Sequence, residues 1–416
     1  MQATTTPARD LEGSAYGRRP GMVDEELART GPGTPCGELM RRYWQPIAVA
    51  ATVTTTPQRV RVLNEDLVLF RDGRGRAGLL VERCAHRGTS LYYGRVDDEG
   101  ISCCYHGWKF DTEGRCVLQP CEPEGGRHRN KIRQPWYPVQ ECYGLVFAYM
   151  GPPERMPVLP RWDILEELQP GQKVFASGPS GFGAGADDSI KVVPFNWLQQ
   201  YENTADPFHL TILHTRHSGV QFGSELSRMP TVRFEPVELG MQYVARFIKD
   251  NGRSIDRVSP ALLPNVRCPG STFLEPGPSN TITWSVPVDD TSHFIFQASR
   301  VPESFQGVAD SWRATRPVRI SDEGLDRTPT IPKLWSEMTE EQRQRYPSDW
   351  EAQASQGTIT LHSEEHLATS DIGIVMLRRL LREQIRRVQE GGDPIGVEFD
   401  PAKALFKAGG GNYYAD

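Results

Sequence analysis

Residues 84–110 read CAHRGTSLYYGRVDDEGISCCYHGWKF and contain two short patterns of metal-ligating side chains. Cys84 is followed two residues later by His86, and Cys103 is followed three residues later by His106. Short β-rich runs separated by turn signals surround both patterns. Two thiols and two imidazoles delivered by two loops of a small β domain predict a metal centre.

A Rieske [2Fe-2S] centre requires this mixture of ligands. Two cysteines hold one iron and two histidines hold the other, which raises the reduction potential to roughly −150 to +300 mV. Neutral imidazole removes negative charge that would otherwise disfavour the reduced cluster. The loops also contain Gly88 and Gly107, which let backbone N–H groups approach the cluster, and Tyr105 and Trp108, which can shield it from water.

A structural zinc site is the alternative for the same four side chains. Zinc sites usually pair C-x-x-C with H-x(3–5)-H, whereas this chain has C-x-H and C-x-x-H, so the cluster is favoured. Cys104 points to the opposite side of an extended backbone from Cys103, which leaves Cys103 as the predicted ligand. The remaining cysteines are interpreted as structural: Cys36, Cys116, Cys121, Cys142 and Cys268.

A second constellation lies in Asn196–His214, NWLQQYENTADPFHLTILH. Asp206, His209 and His214 form D-x-x-H-x-x-x-x-H, and two histidines with one carboxylate make the facial triad of Fe(II) oxygenases. Residues five apart lie about 140° apart on a regular helix, so a shared metal requires the helix to bend, end or unwind, as Pro207 already indicates. The alternatives are helix capping by Asp206 and core packing by the histidines.

The triad's carboxylate is expected from elsewhere in the chain. We predict Asp371, at the head of a helix over 372–388, with Glu364 and Glu365 as alternatives. Thr369–Asp371 is also typical of an ordinary helix start, where an acid is favourable against the helix dipole.

The length and the patterns predict two domains and an α+β fold. We expect an all-β domain followed by an antiparallel sheet with helices, including strands over 242–248, 281–286 and 293–298 and a largely helical stretch over 194–213. A glycine run at 409–411 is interpreted as a flexible tail or a docking extension. The predicted divisions are an N-terminal extension at 1–40, the metal-binding β domain at 41–155 and the catalytic domain at 156–416.

Charge and hydropathy exclude several classes of protein. Lys and Arg number 47 against 53 Asp and Glu, a net charge of −6, which gives no electrostatic footprint for nucleic acid or anionic membranes. The first thirty residues lack a signal-peptide core, and no stretch approaches about 18 apolar residues. We therefore expect a cytoplasmic protein with a small-molecule partner.

Several segments together resemble the oxygenase α-subunits of Rieske non-haem iron oxygenases, in the phthalate-dioxygenase-like branch. Besides the two constellations, they are GPGTPCGELMRRY at 31–43, SEEHLATSDIGIVMLRRLL at 363–381 and GGDPIGV at 391–397. Within that branch the likeness is greatest to 5,5'-dehydrodivanillate O-demethylase oxygenase components. The resemblance implies a Rieske β domain followed by a helix-grip catalytic domain, with O2 as co-substrate.

The resemblance also assigns roles to residues. His209, His214 and Asp371 would bind the mononuclear Fe(II), and Asp206 would bridge His209 to the cluster ligand His106 of a neighbouring subunit. The implied assembly is a homotrimer or a pair of trimers forming a hexamer. Asn203, on the same segment, is predicted with Asp206 to be catalytic.

The expected activity is oxygenation of an aromatic acid, by O-demethylation or ring hydroxylation. The sequence contains no G-x-G-x-x-G fingerprint after a strand, so electrons would come from a separate NAD(P)H-dependent reductase or ferredoxin. The alternatives are a Rieske electron-transfer protein and a zinc-dependent structural or binding module.

An arginine is expected to hold the substrate's carboxylate. Arg246 shares a strand face with Val244 and Ile248, an unusual place for a charge unless it pairs with an anion in a cavity. Arg228 and Arg233 are weaker candidates, and an ordinary surface ion pair is the alternative for all three.

Overall fold

The fold was obtained as a computed structural model. It describes residues 15, 17–180, 191–218, 221–305, 307, 319–321, 324–326 and 335–415. Among these residues, no helix combines the length and the apolar character needed to cross a membrane.

The N-terminal domain is built from short antiparallel strands arranged in three sheets. The sheets have the strand orders β1-β11-β10, β2-β3-β4-β9 and β5-β6-β7-β8. The strands are β1 (Trp44–Val49), β2 (Gln58–Val62), β3 (Glu65–Arg71), β4 (Ala77–Val81), β5 (Arg95–Asp97), β6 (Gly100–Ser102), β7 (Lys109–Phe110), β8 (Cys116–Leu118), β9 (Trp136–Tyr137), β10 (Val139–Cys142) and β11 (Leu145–Tyr149).

The second domain contains a nine-stranded antiparallel sheet within the described residues. Its order is β13-β20-β19-β17-β16-β15-β14, with β24 pairing with β16 and β18. Its strands are β13 (Gln172–Ser180), β14 (Thr231–Val237), β15 (Gly240–Ile248), β16 (Ser254–Leu262), β17 (Val266–Arg267), β18 (Gly277–Pro278), β19 (Thr281–Asp289), β20 (Ser292–Pro302) and β24 (Gly411–Ala415). Two separate pairs are formed by β12 (Arg161–Trp162) with β23 (Leu405–Phe406) and by β21 (Arg319–Ser321) with β22 (Gly324–Asp326).

Helices lie at the N-terminus and around the large sheet. The α-helices are α1 (Glu25–Ala28), α2 (Pro35–Arg41), α3 (Asp163–Glu166), α4 (Trp197–Glu202), α5 (Phe208–Thr211), α6 (Glu340–Arg345), α7 (Asp349–Ala354) and α8 (Ile372–Gln389). The helix predicted over 372–388 is α8, in which Leu377, Leu381, Ile385 and Val388 form a buried stripe. The α+β class and the predicted strands are confirmed.

The C-terminal segment corrects one prediction. The glycine run at 409–411 does not lead into a flexible tail, because the segment after it docks on the large sheet: β24 pairs with β16 from Gly411 opposite Val258 to Ala415 opposite Ser254. The glycines fit a tight approach rather than mobility, since a Cβ on Gly410 would lie 1.6 Å from the carbonyl oxygen of Cys268.

One hydrophobic core joins the two domains. Trp284 of β19 packs edge-on against Phe147 of β11, with their ring centroids 5.6 Å apart, and both belong to the same cluster as the α8 stripe. Two backbone hydrogen bonds also cross between the domains, from Leu63 N to Pro287 O and from Asn64 N to Val288 O. The domains are therefore held in a fixed relation.

Candidate functional site

Two loops of the N-terminal domain have matching backbone geometry. In the first, Gly88 N donates to Cys84 O at 2.8 Å, and in the second, Gly107 N donates to Cys103 O at 2.9 Å. Both glycines adopt the left-handed conformation, with φ of 76° at Gly88 and 70° at Gly107, where a side chain is strained. The glycine after each ligand pair is therefore required by the turn that presents the ligands.

The four side chains on these loops meet in the order that the sequence predicts. Cys84 and Cys103 are buried in one small core, while the His86 and His106 rings lie 4.6 Å apart. Trp108 stacks on His86 at 4.2 Å, and Cys104 is exposed. The thiols thus lie inside and the imidazoles nearer the surface, as a two-sided cluster requires.

The electrostatics of this site suit a cationic group. Burial, with a contribution from Cys103, raises the pKa of the Cys84 thiol to about 11. Burial and the neighbouring His106 lower the pKa of His86, and His106 Nδ1 is buried without a hydrogen-bond partner. Iron would hold the thiols as thiolates and accept the neutral imidazoles, so these donors fit a Rieske cluster.

Gln134 fixes the first loop and was not foreseen. Its side chain is fully buried; Oε1 accepts from Ala85 N at 2.7 Å, and Nε2 donates to the carbonyls of Val81 and Arg83 at 2.7 and 2.9 Å. A glutamine has no local sequence signal for this role, because its three partners lie about fifty residues earlier in the chain.

The predicted helix over 194–213 is interrupted several times. Helix α4 continues into a 3₁₀ turn at Asn203–Ala205, and α5 continues into a π-helix at Ile212–His217. A π-helix closes i→i+5 hydrogen bonds, so it brings residues five apart toward one face. The expected irregularity between His209 and His214 is confirmed, and it takes the form of this wider turn.

Asp349 completes a group of three ligand atoms with the two histidines. One ligand atom each from His209, His214 and Asp349 lies within 4.8 Å of the others. Asp349 Oδ1 is 3.1 Å from His214 Nε2 and 3.6 Å from His209 Nε2. This donor set matches the 2-His-1-carboxylate arrangement that Fe(II) oxygenases use.

Neighbouring polar groups orient these ligands. His214 Nδ1 donates to Gln221 Oε1 at 2.7 Å, which leaves Nε2 directed at the centre, and Asn203 Nδ2 donates to Asp349 Oδ1 at 3.2 Å. Burial would raise the pKa of Asp349, but His214, His209 and Asn203 hold it well below its usual value. Asn203 thus touches the carboxylate of this candidate metal centre.

Asp206 combines the two roles considered for it. Its Oδ1 accepts from the backbone N of Phe208 at 2.9 Å, which caps α5, and its Oδ2 lies 3.5 Å from His209 Nδ1. Burial opposes protonation of His209, but the Asp206 carboxylate and then Asp349 raise its pKa above the usual value. Capping and contact with the histidine therefore coexist.

Asp371 does not join the centre, contrary to the prediction. Its Oδ2 accepts from Ala368 N at 2.7 Å in the 3₁₀ turn Thr369–Asp371 that leads into α8, so the side chain belongs to the helix start that the sequence left as an alternative. Glu365 pairs with Arg378 and Glu364 with Arg18, so these alternatives lie elsewhere too. The missed ligand Asp349 also begins a helix, α7, whose capping box Ser348-x-x-Glu351 was the available signal.

The three arginines predicted to bind substrate lie on the outer surface, and that prediction is corrected. Arg246 is 44% exposed and makes two hydrogen bonds to Asp256, at 2.7 and 2.8 Å. Arg228 pairs with Asp250 at 2.7 Å, and Arg233 lies 3.6 Å from Asp256. The strand face was assigned correctly, but it opens to solvent at this end, where Ile248 is 55% exposed.

Comparison with known proteins agrees with this geometry. Residues 43–141 match the Rieske [2Fe-2S] domain. The chain is 49% identical to the phenoxybenzoate dioxygenase subunit alpha of Ectopseudomonas oleovorans, over 99% of this chain and 97% of that protein. It is 33% identical to the 5,5'-dehydrodivanillate O-demethylase oxygenase subunit of Sphingobium sp. (strain NBRC 103272 / SYK-6), over 91% and 83%.

A solved structure shares the fold. Dicamba monooxygenase bound to dicamba superposes with a TM-score of 0.57 at 16% sequence identity, covering 85% of this chain and 99% of that chain. Together with two ligand sets in one chain, these likenesses define a class: a terminal oxygenase with a Rieske domain and a catalytic domain.

The chain belongs to the Rieske non-haem iron oxygenase α-subunits, as its sequence predicted. It is an oxygenase that uses a Rieske [2Fe-2S] cluster, a mononuclear iron and O2. The likeness to dehydrodivanillate O-demethylase is real, but the phenoxybenzoate relative is more similar.

Proposed function

We propose that this chain is the oxygenase component of a system that oxygenates an aromatic carboxylate. The observation that carries the proposal is the presence of two separate donor sets in one chain, the two Cys–His loops and the group His209, His214 and Asp349. An electron-transfer protein needs only the first set, and a zinc module needs neither in this form.

The ligands are assigned from their chemistry. Cys84 and Cys103 would hold one iron of the cluster and His86 and His106 the other, while His209, His214 and Asp349 would hold the mononuclear iron. That iron supplies O2 activation when bound. The protein's own part is to orient His214 through Gln221 and to hold Asp349 ionised.

An aromatic carboxylate is the favoured substrate class. Both reported relatives are named for aromatic carboxylates, phenoxybenzoate and dehydrodivanillate. One is named a dioxygenase and the other an O-demethylase, so ring hydroxylation and demethylation both remain open. Attack on a ring would give a cis-dihydrodiol, whereas attack on an O-methyl group would give a hemiacetal that releases formaldehyde.

We also propose the assembly implied by the family. The cluster histidines are partly exposed, and Tyr105 beside them is 58% exposed, so this edge suits contact with another subunit. Asp206 would bridge His209 to His106 of a neighbouring subunit in a homotrimer or hexamer, giving electrons a short path. A separate reductase or ferredoxin would reduce the cluster. Within the chain, the division falls near residue 155.

Metal analysis tests the proposal directly. An oxygenase should hold about three irons and two acid-labile sulfides per chain, a Rieske electron carrier about two irons, and a zinc module none. His209→Ala should lower the count to about two, leave the Rieske EPR spectrum intact and abolish oxygenation. A parent protein with two irons, or with zinc, would contradict the proposal.

The reaction type needs a second measurement. Purified protein with a surrogate reductase and NADH would be incubated with 3-phenoxybenzoate and with a methoxylated aromatic acid, and formaldehyde and diol measured separately. Formaldehyde from the methoxylated acid alone indicates O-demethylation, and a diol or phenol from 3-phenoxybenzoate indicates ring attack. If neither acid stimulates oxygen consumption, the proposed substrate class is contradicted.

A further inference from the structure

The large sheet has two faces, which side-chain alternation distinguishes: one packs on the core shared with the N-terminal domain, and the other, called the inner face here, is turned toward the candidate metal centre. Along β19 and β20, Trp284 and Phe296 belong to the core shared with the N-terminal domain, so their neighbours in sequence point to the other side. On that other side, Ile295 packs in one cluster with Phe195 and Trp350. Trp350 directly follows Asp349, so this face of the sheet is turned toward the group formed by His209, His214 and Asp349.

Arg267 lies on this inner face. Strand β17 places Arg267 opposite Thr283, and β19 places Thr283 opposite Gln297, so the three side chains form one row. The charge of Asp349 acts on Arg267, and the charge of Arg267 acts on His293. The guanidinium is therefore close enough to both Asp349 and the buried His293 to interact with their charges.

This guanidinium has no partner among the residues that the structure describes. Among the described residues, no ion pair and no hydrogen bond reaches the Arg267 side chain, and burial lowers its pKa to about 10 against the opposing effect of Asp349. The contrast with Arg378 is clear, because that buried arginine is held by the carboxylates of Glu202 and Glu365. Arg267 is partly buried, and an uncompensated cation in such a place is costly unless a ligand supplies the anion.

The polar groups around Arg267 differ in whether they can bind an anionic ligand. His293 Nδ1 donates to the carbonyl of Phe195 at 2.9 Å, and burial lowers the pKa of His293 to about 3. The ring is therefore neutral, and its buried, unpartnered Nε2 is an acceptor. An acceptor cannot hold a carboxylate, whereas the guanidinium of Arg267 can.

We propose that Arg267 is the carboxylate anchor of the substrate pocket, holding the acid group of an aromatic carboxylate so that its ring lies beside the metal-binding group. This rests on the proposed function and replaces Arg246, whose charge is already neutralised by Asp256. The anchor is a positioning and specificity residue; it takes no part in oxygen activation.

Binding under anaerobic conditions separates this proposal from catalysis. The holoenzyme would be titrated calorimetrically with 3-phenoxybenzoate and with its primary amide, which has the same shape without the charge. The variants are Arg267→Gln and Arg267→Lys, and the matched control is Arg246→Gln on the outer surface. Iron content and the Rieske EPR spectrum would establish that each variant is folded and loaded.

The parent should bind the acid more tightly than the amide. Arg267→Gln should weaken the acid about 10- to 100-fold, the range expected for a charge-assisted hydrogen-bonding pair, and leave the amide nearly unchanged. Arg267→Lys should restore part of the preference, and Arg246→Gln should keep all of it.

Equal binding of acid and amide by the parent, or an undiminished preference in Arg267→Gln, would overturn the anchor. If Arg267→Gln loses its metals, Arg267→Lys takes its place. An affinity for the acid equal to that of the parent in Arg267→Lys would also count against the anchor. If the parent binds the acid through Arg267 yet consumes no oxygen, the anchor stands and the proposed function fails.

Discussion

Two aspartates at helix starts illustrate what local sequence can decide. Asp371 begins α8 and Asp349 begins α7, and both have the residues that favour an N-terminal cap. Only the fold separates them, because Ser218 Oγ and Asn203 tie the segment before and at Asp349 to the metal-binding helix. The histidines were predictable from spacing, whereas the carboxylate depends on contacts about 130 residues apart in sequence.

The assignment of Asp349 instead of Asp371 as the carboxylate ligand yields a direct prediction. Asp349→Asn should remove the mononuclear iron, because the amide cannot supply the charge that offsets the metal, and the iron count should fall from about three to about two per chain. Asp371→Asn should keep its iron and its stability, since the asparagine side-chain oxygen can still accept from Ala368 N. Iron analysis with EPR distinguishes the two, and iron loss in Asp371→Asn alone would reverse the assignment.

Gln134 is a residue whose value lies in three backbone contacts. Gln134→Leu should destabilise the first cluster loop by about 2–4 kcal/mol, because one backbone N–H and two backbone carbonyls lose their partner. The measurement is the denaturant midpoint followed by cluster absorbance. Gln140→Leu, on an exposed position of β10, is the control and should leave that midpoint unchanged. Equal midpoints for the two variants would refute the role.

At the scale of elements, regular hydrophobic periodicity predicted the helices and strands reliably, whereas irregular elements could not be predicted in detail. The buried stripe of α8 and the strands β15, β19 and β20 follow patterns that appear in the sequence. The π-helix after α5 was anticipated only as an irregularity, because its form depends on surrounding contacts. Likewise, alternation gave the correct face for Arg246 but could not indicate whether that face was covered.

A buried ion cluster joins α4, which precedes the histidine-bearing segment, to α8. Arg378 contacts the carboxylates of Glu202, at the end of α4, and Glu365, and all three side chains are mostly buried. Arg378→Met should destabilise the protein by about 3–5 kcal/mol, because Glu202 is left buried without a counter-charge. Arg379→Met, on the exposed face of α8, should have little effect. Chemical unfolding monitored by circular dichroism would measure both.

The same variant should show a distinctive pH dependence. Burial raises the pKa of Glu202 even with Arg378 present, and without Arg378 that pKa rises further. A carboxyl with a raised pKa in the folded state favours folding while protonated, so stability falls as the pH rises above about 4.3 through the raised value. The deficit of Arg378→Met should therefore be smaller at pH 5 than at pH 8, and a pH-independent deficit would exclude this explanation.

At the scale of the whole molecule, the two domains share one core. Trp284 and Phe147 meet across the boundary, and Asp393, just beyond α8, pairs with Arg42 and Arg155 at 2.8 and 2.9 Å. The sequence predicted two domains from composition and strand spacing, but it contains no local signal for how firmly they are joined. That property comes from residues far apart in the chain packing into one cluster.

The shared core predicts coupled unfolding. In the parent, cluster absorbance and tryptophan fluorescence should be lost at the same denaturant concentration, because opening either domain exposes the common core. Trp284→Ala leaves a cavity at the boundary and should cost about 3–5 kcal/mol, and it should also separate the two transitions. Phe247→Ala, buried in a different cluster of the catalytic domain, should cost a similar amount without separating them. Coincident transitions in Trp284→Ala would mean that the remaining contacts, including the pairs around Asp393, suffice to join the domains.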